Sequence, residues 1–321
     1  MNSLRQPVIP FPLRQTQTRR PNPKPRTLPR RETSPRKKAM TIAAGFFCKD
    51  GVLLCADTKI STDVHTEETK LAFYRSDDAQ LAITFAMTSV DVDFSRSSAD
   101  RCWEYTRQSL SPSSTIESIR QAAEFSLAEF YRDEIFPHPD RPPNQPFFQF
   151  LVGVWLRGET ALFVSKETVL SHPQQPWECL GMGGYLGRNV IRQYVAVNGD
   201  PETLNEAALI ASCAVNSAIE YDQSCGGEAE MIQLCNDGRV ESIADSVIFP
   251  GYDLLKTMRR QDWRLMRALA DSELSDGDLD FALTEHSEEV RRAALAGKRT
   301  IEGIRAAKAA ASGGFPESLP E

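Results

Sequence analysis

Beyond residue 40 the chain turns apolar, and its apolar positions recur at strand spacing, then helix spacing, then strand spacing again. Two strand-like runs, 41–48 and 51–58, flank Lys49-Asp50, and Asp50-Gly51 is a strong tight-turn signal between them. The second run, Val52-Leu53-Leu54-Cys55-Ala56, is apolar on both faces, which predicts a strand covered on both sides. Polar residues 75–78 separate two further predicted strands, near 69–74 and 80–87. Helices are predicted over 91–109 and 115–136. The second is marked by a Ser114/Glu117 capping box and by Ile116, Ile119, Ala123, Leu127 and Phe130 at helical spacing. A Pro-rich stretch, 138–146, breaks the pattern.

Strands resume at 147–156 and 160–165, and the glycine turn Gly181-Met182-Gly183-Gly184 precedes a helix near 185–197. Asp200-Pro201 is expected to open another helix, because proline at the first helical position sacrifices no hydrogen bond. Leu204, Ala208, Ala211, Val215 and Ala218 would line its inner face. Two last strands, near 229–235 and 238–245, turn at Asn236-Asp237-Gly238. Strands, two helices, strands, two helices, strands is an order in which two sheets stack and a helix pair covers each outer face. From Tyr252 to about Ala311 the pattern is helical and charged, and it frays at Ser312-Gly313-Gly314, which predicts a helical appendage.

The formal charge of -7 over 321 residues hides a division. Residues 1–40 hold eleven Lys/Arg against Glu32 and include eight prolines, whereas the remainder carries 26 bases and 43 acids. So basic and Pro-rich a segment buries too little apolar surface to fold alone. It is expected to be a disordered arm, a removable propeptide, or sequence upstream of a true start at Met40. Its prolines disfavour the amphipathic helix of an organelle-targeting signal, and it lacks the apolar core of a secretory one. Nonspecific nucleic-acid binding by the arm finds no supporting aromatic or zinc pattern.

No run approaches the roughly 20 apolar residues of a membrane span. The seven scattered cysteines, most of them within apolar segments, read as buried reduced thiols of a cytoplasmic protein. The four histidines are too dispersed for a zinc site. No metal or organic cofactor is expected.

Thr41 carries the sharpest chemical signal. If Met40 leaves, or the whole arm is cleaved, a free α-amine lies beside the Thr41 hydroxyl, so one residue can be both nucleophile and base. An α-amine with a pKa of about 7.7–8.0 is well placed for proton transfer near neutrality. The competing reading is a β-branched residue on an ordinary first strand. Asp57 follows sixteen positions later and Lys70 after a second turn; in general such residues form solvated surface pairs. Gln223-Ser224-Cys225-Gly226 raises a cysteine-peptidase alternative with His286 as base. Such enzymes launch a helix from the cysteine, whereas Met231–Cys235 reads as a strand. Neither a GxSxG elbow nor a phosphate-binding glycine loop occurs.

Together Thr41 to Lys59 (TIAAGFFCKDGVLLCADTK), Lys70, Ala86 to Asp91 (AMTSVD), Leu180 to Gly184 (LGMGG) and Asp222 to Gly227 (DQSCGG) resemble the proteasome β-subunit family of N-terminal nucleophile (Ntn) hydrolases. The likeness extends to bacterial proteasome-like homologues in which a start methionine directly precedes the threonine. It spans about 41–250. The chain departs from the family in a shorter Asp57–Lys70 interval, in Met87-Thr88 replacing a glycine pair, and in Met182 and Cys225 replacing serines.

The resemblance implies an α+β fold: a four-layer α-β-β-α Ntn-hydrolase sandwich with antiparallel sheets, followed here by a C-terminal helical extension. It implies threonine-type peptide hydrolysis with Thr41 as nucleophile. Lys70 would stay protonated and lower the amine's pKa, and Asp57 would be its counter-ion. The Met87 amide would fall at the oxyanion position, Cys225 at a proton-relay position, and Asp222 would orient the amine or cap its loop through an Asx turn. Implied partners are peptide or unfolded-protein substrates, further copies in a ring or helical array, and an ATP-dependent unfoldase. The alternatives are an Ntn amidase acting on small amides and a catalytically silent scaffold subunit that keeps the residues before Thr41.

Overall fold

The computed structural model describes residues 41–61, 65–78, 80–89, 91–137, 147–243 and 275–312, with scattered positions between 252 and 266. The basic arm, 1–40, and the Pro-rich stretch, 138–146, lie outside the described residues. The first half runs β1 (Ala43–Cys48), β2 (Gly51–Asp57), the short pair β3 (Lys59–Ser61) and β4 (His65–Glu67), β5 (Leu71–Arg75), β6 (Leu81–Ser89), α1 (Val92–Gln108) and α2 (Ile116–Phe130). The second half runs β7 (Phe148–Leu156), β8 (Glu159–Lys166), β9 (Val169–Ser171), β10 (Trp177–Leu180), α3 (Gly184–Asn198), α4 (Leu204–Tyr221), β11 (Ala229–Cys235), β12 (Val240–Ile243) and α5 (Asp276–Ser312). No helix among the described residues is long and apolar enough to cross a membrane.

Two five-stranded sheets, ordered β10-β1-β2-β11-β12 and β5-β6-β7-β8-β9, pair antiparallel throughout. The expected α+β four-layer sandwich is what forms. Strand β2 shows why its sequence is apolar on both faces. Leu53 and Cys55 pack with α4 residues such as Ala207, Ala211, Ala214 and Ala218, where small side chains let the helix lie close. Val52, Leu54 and Ala56 point the other way and meet Leu151, Leu162 and Ala82 of the second sheet. The far face of that sheet buries Phe85, Phe150 and Phe163 under Ile119, Leu127 and Phe130 of α2. Each such phenylalanine contributes on the order of 1.5–3 kcal/mol of apolar burial. All seven cysteines carry thiols rather than disulfides, and six are buried.

Two helix starts differ from the sequence expectation. The cap of α2 is Thr115, not Ser114: Thr115 is extended, its hydroxyl accepts from the Ser118 N–H, and Ser118 Oγ accepts from the Thr115 N–H. Ser114 instead accepts the Ser111 N–H in the preceding turn, and Glu117 pairs with Arg120 at 2.6 Å. Similarly α4 opens at a Thr203/Glu206 capping box, three residues past Asp200-Pro201, because Asp200 is drawn away to accept the Trp177 indole N–H at 3.2 Å. A π-helical turn, Tyr131–Ile135, extends α2 almost to the predicted end. Strands β9 and β10 have no counterpart among the predicted elements. Both are short, and Pro173 and Pro176 mask β10, which is built by pairing with β1 (Ala43↔Leu180, Ala44↔Cys179).

Candidate active site

Strand register brings Thr41 and Asp57 together. Ala43 pairs with Ala56, so the next positions outward, Ile42 and Asp57, face each other at the end of the first sheet. The Asp57 N–H donates to the Ile42 carbonyl at 3.2 Å, and the Ile42 N–H donates to Asp57 Oδ1 at 3.1 Å. Lys70 arrives from the second sheet, one residue before β5. Its Nζ donates to Asp57 Oδ1 at 2.8 Å and to Thr41 Oγ1 at 2.8 Å, and the Thr41 hydroxyl donates to Asp57 Oδ1 at 2.6 Å. Thr41, Asp57 and Lys70 are 4%, 0% and 4% exposed, so the triangle is closed to bulk water. Burial lowers the Lys70 pKa from the ordinary lysine value; the Asp57 charge opposes that fall and the Lys59 charge adds to it. The outcome is a threonine hydroxyl held between a carboxylate and a buried amine.

Two loops lock this triangle. The DQSCGG segment lies alongside Asp57, with the Gly226 N–H donating to Asp57 Oδ2 at 3.2 Å. Lys59 Nζ ties the same loop down by donating to the Gln223 carbonyl at 2.9 Å. The glycine turn after β10 presses on the nucleophile's own backbone, and the Gly183 N–H donates to the Thr41 carbonyl at 3.2 Å. At Gly181, φ is +82° and a Cβ would lie 2.1 Å from the Thr41 carbonyl oxygen. Gly181→Ala is therefore expected to displace Thr41. Gly199 has nearly the same φ, +78°, with nothing within 4 Å. Gly199→Ala should cost only the backbone strain of its φ +78°, ψ 179° conformation, a region that glycine alone adopts readily, about 1–3 kcal/mol. Thermal melts of the two variants measure the difference; equal losses would dismiss the contact.

The other predicted positions fare differently. Met87 is buried in β6 and its N–H donates to the Lys70 carbonyl at 2.9 Å. The single proton that an oxyanion hole would need is thus committed to the sheet ladder, which corrects the expectation of an available amide there. Asp222 caps α4, and its Oδ1 accepts both the Ser224 N–H at 3.0 Å and the Ser224 hydroxyl, the Asx-turn arrangement. Met182 stands half exposed at the tip of the glycine turn.

Cys225 is buried within electrostatic reach of Asp57 and Lys70, its Sγ packed against Gly183. Burial, then the Asp57 and Asp222 carboxylates, push its thiol up to about 12. The residues after it form β11, not a helix, and the opposing pulls of the Ser224 hydrogen bond and the Lys70 charge are outweighed, so the thiol stays far from a reactive thiolate. The cysteine-peptidase alternative fails on this point. A thiol reagent added to the folded protein at pH 8 should leave Cys225 unmodified and label only the half-buried Cys235 appreciably. Rapid modification of Cys225 would contradict that environment.

Sequence reasoning missed the backbone contributors, namely the N–H groups of Ile42, Gly183 and Gly226. Only the density of glycines in LGMGG and SCGG hinted at them, since close backbone approach demands a missing side chain. Among the described residues no three His, Cys, Asp or Glu side chains gather as a metal-binding cluster.

No protein-family model matches the chain, and no curated protein matches it. Solved structures do. Anbu from Hyphomicrobium sp. strain MC1 superposes with a TM-score of 0.56 at 16% identity, over 70% of this chain and 97% of that one. Anbu, described as an ancestral beta-subunit, from Yersinia bercovieri gives 0.55 at 14% identity, over 70% and 97%. A helical assembly of the Anbu complex from Pseudomonas aeruginosa gives 0.56 at 14% identity, over 73% and 99%. At such identities the likeness establishes the fold alone, an Anbu-like sandwich of two sheets between helices.

Proposed function

We propose that this chain is a threonine-type peptidase in which Thr41, exposed as the first residue by removal of the segment before it, attacks peptide carbonyls. The observation that carries the reading is the buried triangle of Thr41, Asp57 and Lys70, with every edge at 2.6–2.8 Å. The Thr41 oxygen bonds to the carbonyl carbon while its proton passes to the Thr41 amine. The resulting ammonium returns that proton to the departing peptide amine as the C–N bond breaks, leaving an ester on Thr41. Water, deprotonated by the same amine, then hydrolyses the ester. Lys70 holds the amine's pKa down and steadies the hydroxyl; Asp57 fixes Lys70. All of these groups belong to the chain itself.

The fold's likeness to a helically assembling Anbu complex supports self-association of this chain into an array that confines the sites, with unfolded polypeptide as substrate. Delivery by an ATP-dependent unfoldase belongs to the same reading. A second reading, the silent scaffold, has one specific observation in its favour: the Met87 amide is already spent on Lys70. Intact mass of protein purified from its own host separates the two. A chain beginning at Thr41 that turns over peptide reporters is the expected result; a chain retaining Met40 without turnover leaves the scaffold. Turnover of small amides but not peptides would move the assignment to an Ntn amidase.

A further inference from the structure

Helix α5 carries an ordered face that the Thr41 chemistry does not use. Phe281, Glu285, Glu288, Arg292, Leu295 and Arg299 recur at alternating spacings of four and three, and all are exposed, Phe281 by 70% and Leu295 by 47%. The opposite stripe, Leu279, Ala282, His286, Val290 and Ala293, is half-buried. The exposed stripe therefore has the spacing of a two-stranded helical seam while facing outward.

Its order is self-complementary about residue 290. Reversing the helix sets Glu288 opposite Arg292, Glu285 opposite Leu295 and Phe281 opposite Arg299. Each pair occurs twice in a two-fold arrangement, and the last sets a guanidinium beside an aromatic ring. The wider charge pattern agrees. From 276 to 289 there are six acids and no Lys or Arg, whereas from 291 to 308 there are six Lys/Arg and only Glu302. This polarity also suits the dipole of a single helix, but that effect is confined to the first and last turns. Here the charges fill both halves. Parallel pairing would oppose Glu288 to Glu288 and Arg292 to Arg292, so only the antiparallel sense is favoured.

We propose that the exposed stripe of α5 docks antiparallel against α5 of a second copy of this chain, linking subunits through a contact separate from the sandwich. The inference does not depend on Thr41 being catalytic.

The test uses full-length chains carrying Glu285→Lys with Glu288→Lys, and others carrying Arg292→Glu with Arg299→Glu. Each variant alone places like charges across the seam; mixed in equal amounts, the two restore opposite charges at every ionic position. Sedimentation at low salt should show each variant's α5-dependent association weakened by at least about tenfold. The 1:1 mixture should recover most of the parent's association, short of the one Phe281–Arg299 pair it lacks, and 1 M salt should erase the ionic differences. Circular dichroism checks that α5 stays helical, and the mixture itself serves as the second control. Any assembly driven by the sandwich is common to all samples and cancels. Parent, variants and mixture sedimenting alike would overturn the proposal, as would two weakened variants that mixing does not rescue.

Discussion

Thr41→Ala is expected to abolish peptide-reporter hydrolysis, lowering kcat by at least about 10³-fold, as removal of a nucleophile generally does. Thr41→Ser should retain measurable turnover. The geometry explains the asymmetry. Alanine removes the oxygen that bonds to both Asp57 and Lys70, whereas serine keeps an oxygen able to donate to Asp57 and accept from Lys70. Serine loses only the methyl that limits its rotamers in a buried pocket. The fold should tolerate both changes, since the Ile42–Asp57 backbone pair and the Gly183 contact to the Thr41 carbonyl involve no Thr41 side-chain atom. Steady-state kinetics on the mature chains, with melting curves as control, decide the matter. Full turnover in the alanine variant would end the threonine mechanism and leave a shared fold without shared chemistry.

Asp57→Asn should produce the largest loss of stability. Asp57 is fully buried and accepts from the Thr41 hydroxyl, Lys70 Nζ and the Ile42 and Gly226 N–H groups. Neutralising it leaves a buried ammonium without its counter-ion, a change that typically costs about 3–5 kcal/mol. The paired variant, Asp57→Asn with Lys70→Met, removes both charges and should recover much of that loss.

The pH dependence follows from the Lys70 shift. Its folded pKa is lowered by burial and by Lys59, and in the parent Asp57 partly opposes this; in the Asn variant that opposition disappears, so the folded pKa falls further. Between the lowered folded value and the ordinary lysine value the unfolded chain holds the extra proton, so stability rises with pH across that window. The variant enters the window at lower pH than the parent. Its deficit in denaturation midpoint should therefore shrink as pH increases from 7 toward 10. A deficit independent of pH would show that lost hydrogen bonds, not the stranded charge, dominate.

Much of the sandwich is legible along the chain because its layers impose different periods. Doubly apolar β2, the half-buried helices and the Asn236-Asp237-Gly238 turn each state which faces meet a neighbour. Thr41 and Asp57 stand out for a related reason: strand register is set by the hydrophobic pattern, so a fixed offset along paired strands becomes a fixed distance in space, whereas Lys70, in the other sheet, is picked out by the family resemblance. Helix starts are less legible. Ser114 and Thr115 are equally good caps by residue type, and the choice falls to whichever backbone is extended in the folded turn.

The sequence by itself determined the layers, the strand order within the first hairpin and the approach of Asp57 to Thr41, because these follow from local periodicity and short-range register, while Lys70, from the other sheet, was singled out by the family resemblance. Only the tertiary structure decided how the backbone serves them. Strand β10 exists because β1 offers it an edge, and Gly181 must lack a side chain because Thr41 lies against it. The Met87 amide is engaged because β5 and β6 pair up to Lys70, and Cys225 is silenced by its burial and then by the carboxylates folded around it. Such outcomes depend on contacts between segments tens to nearly two hundred residues apart, which no local pattern encodes.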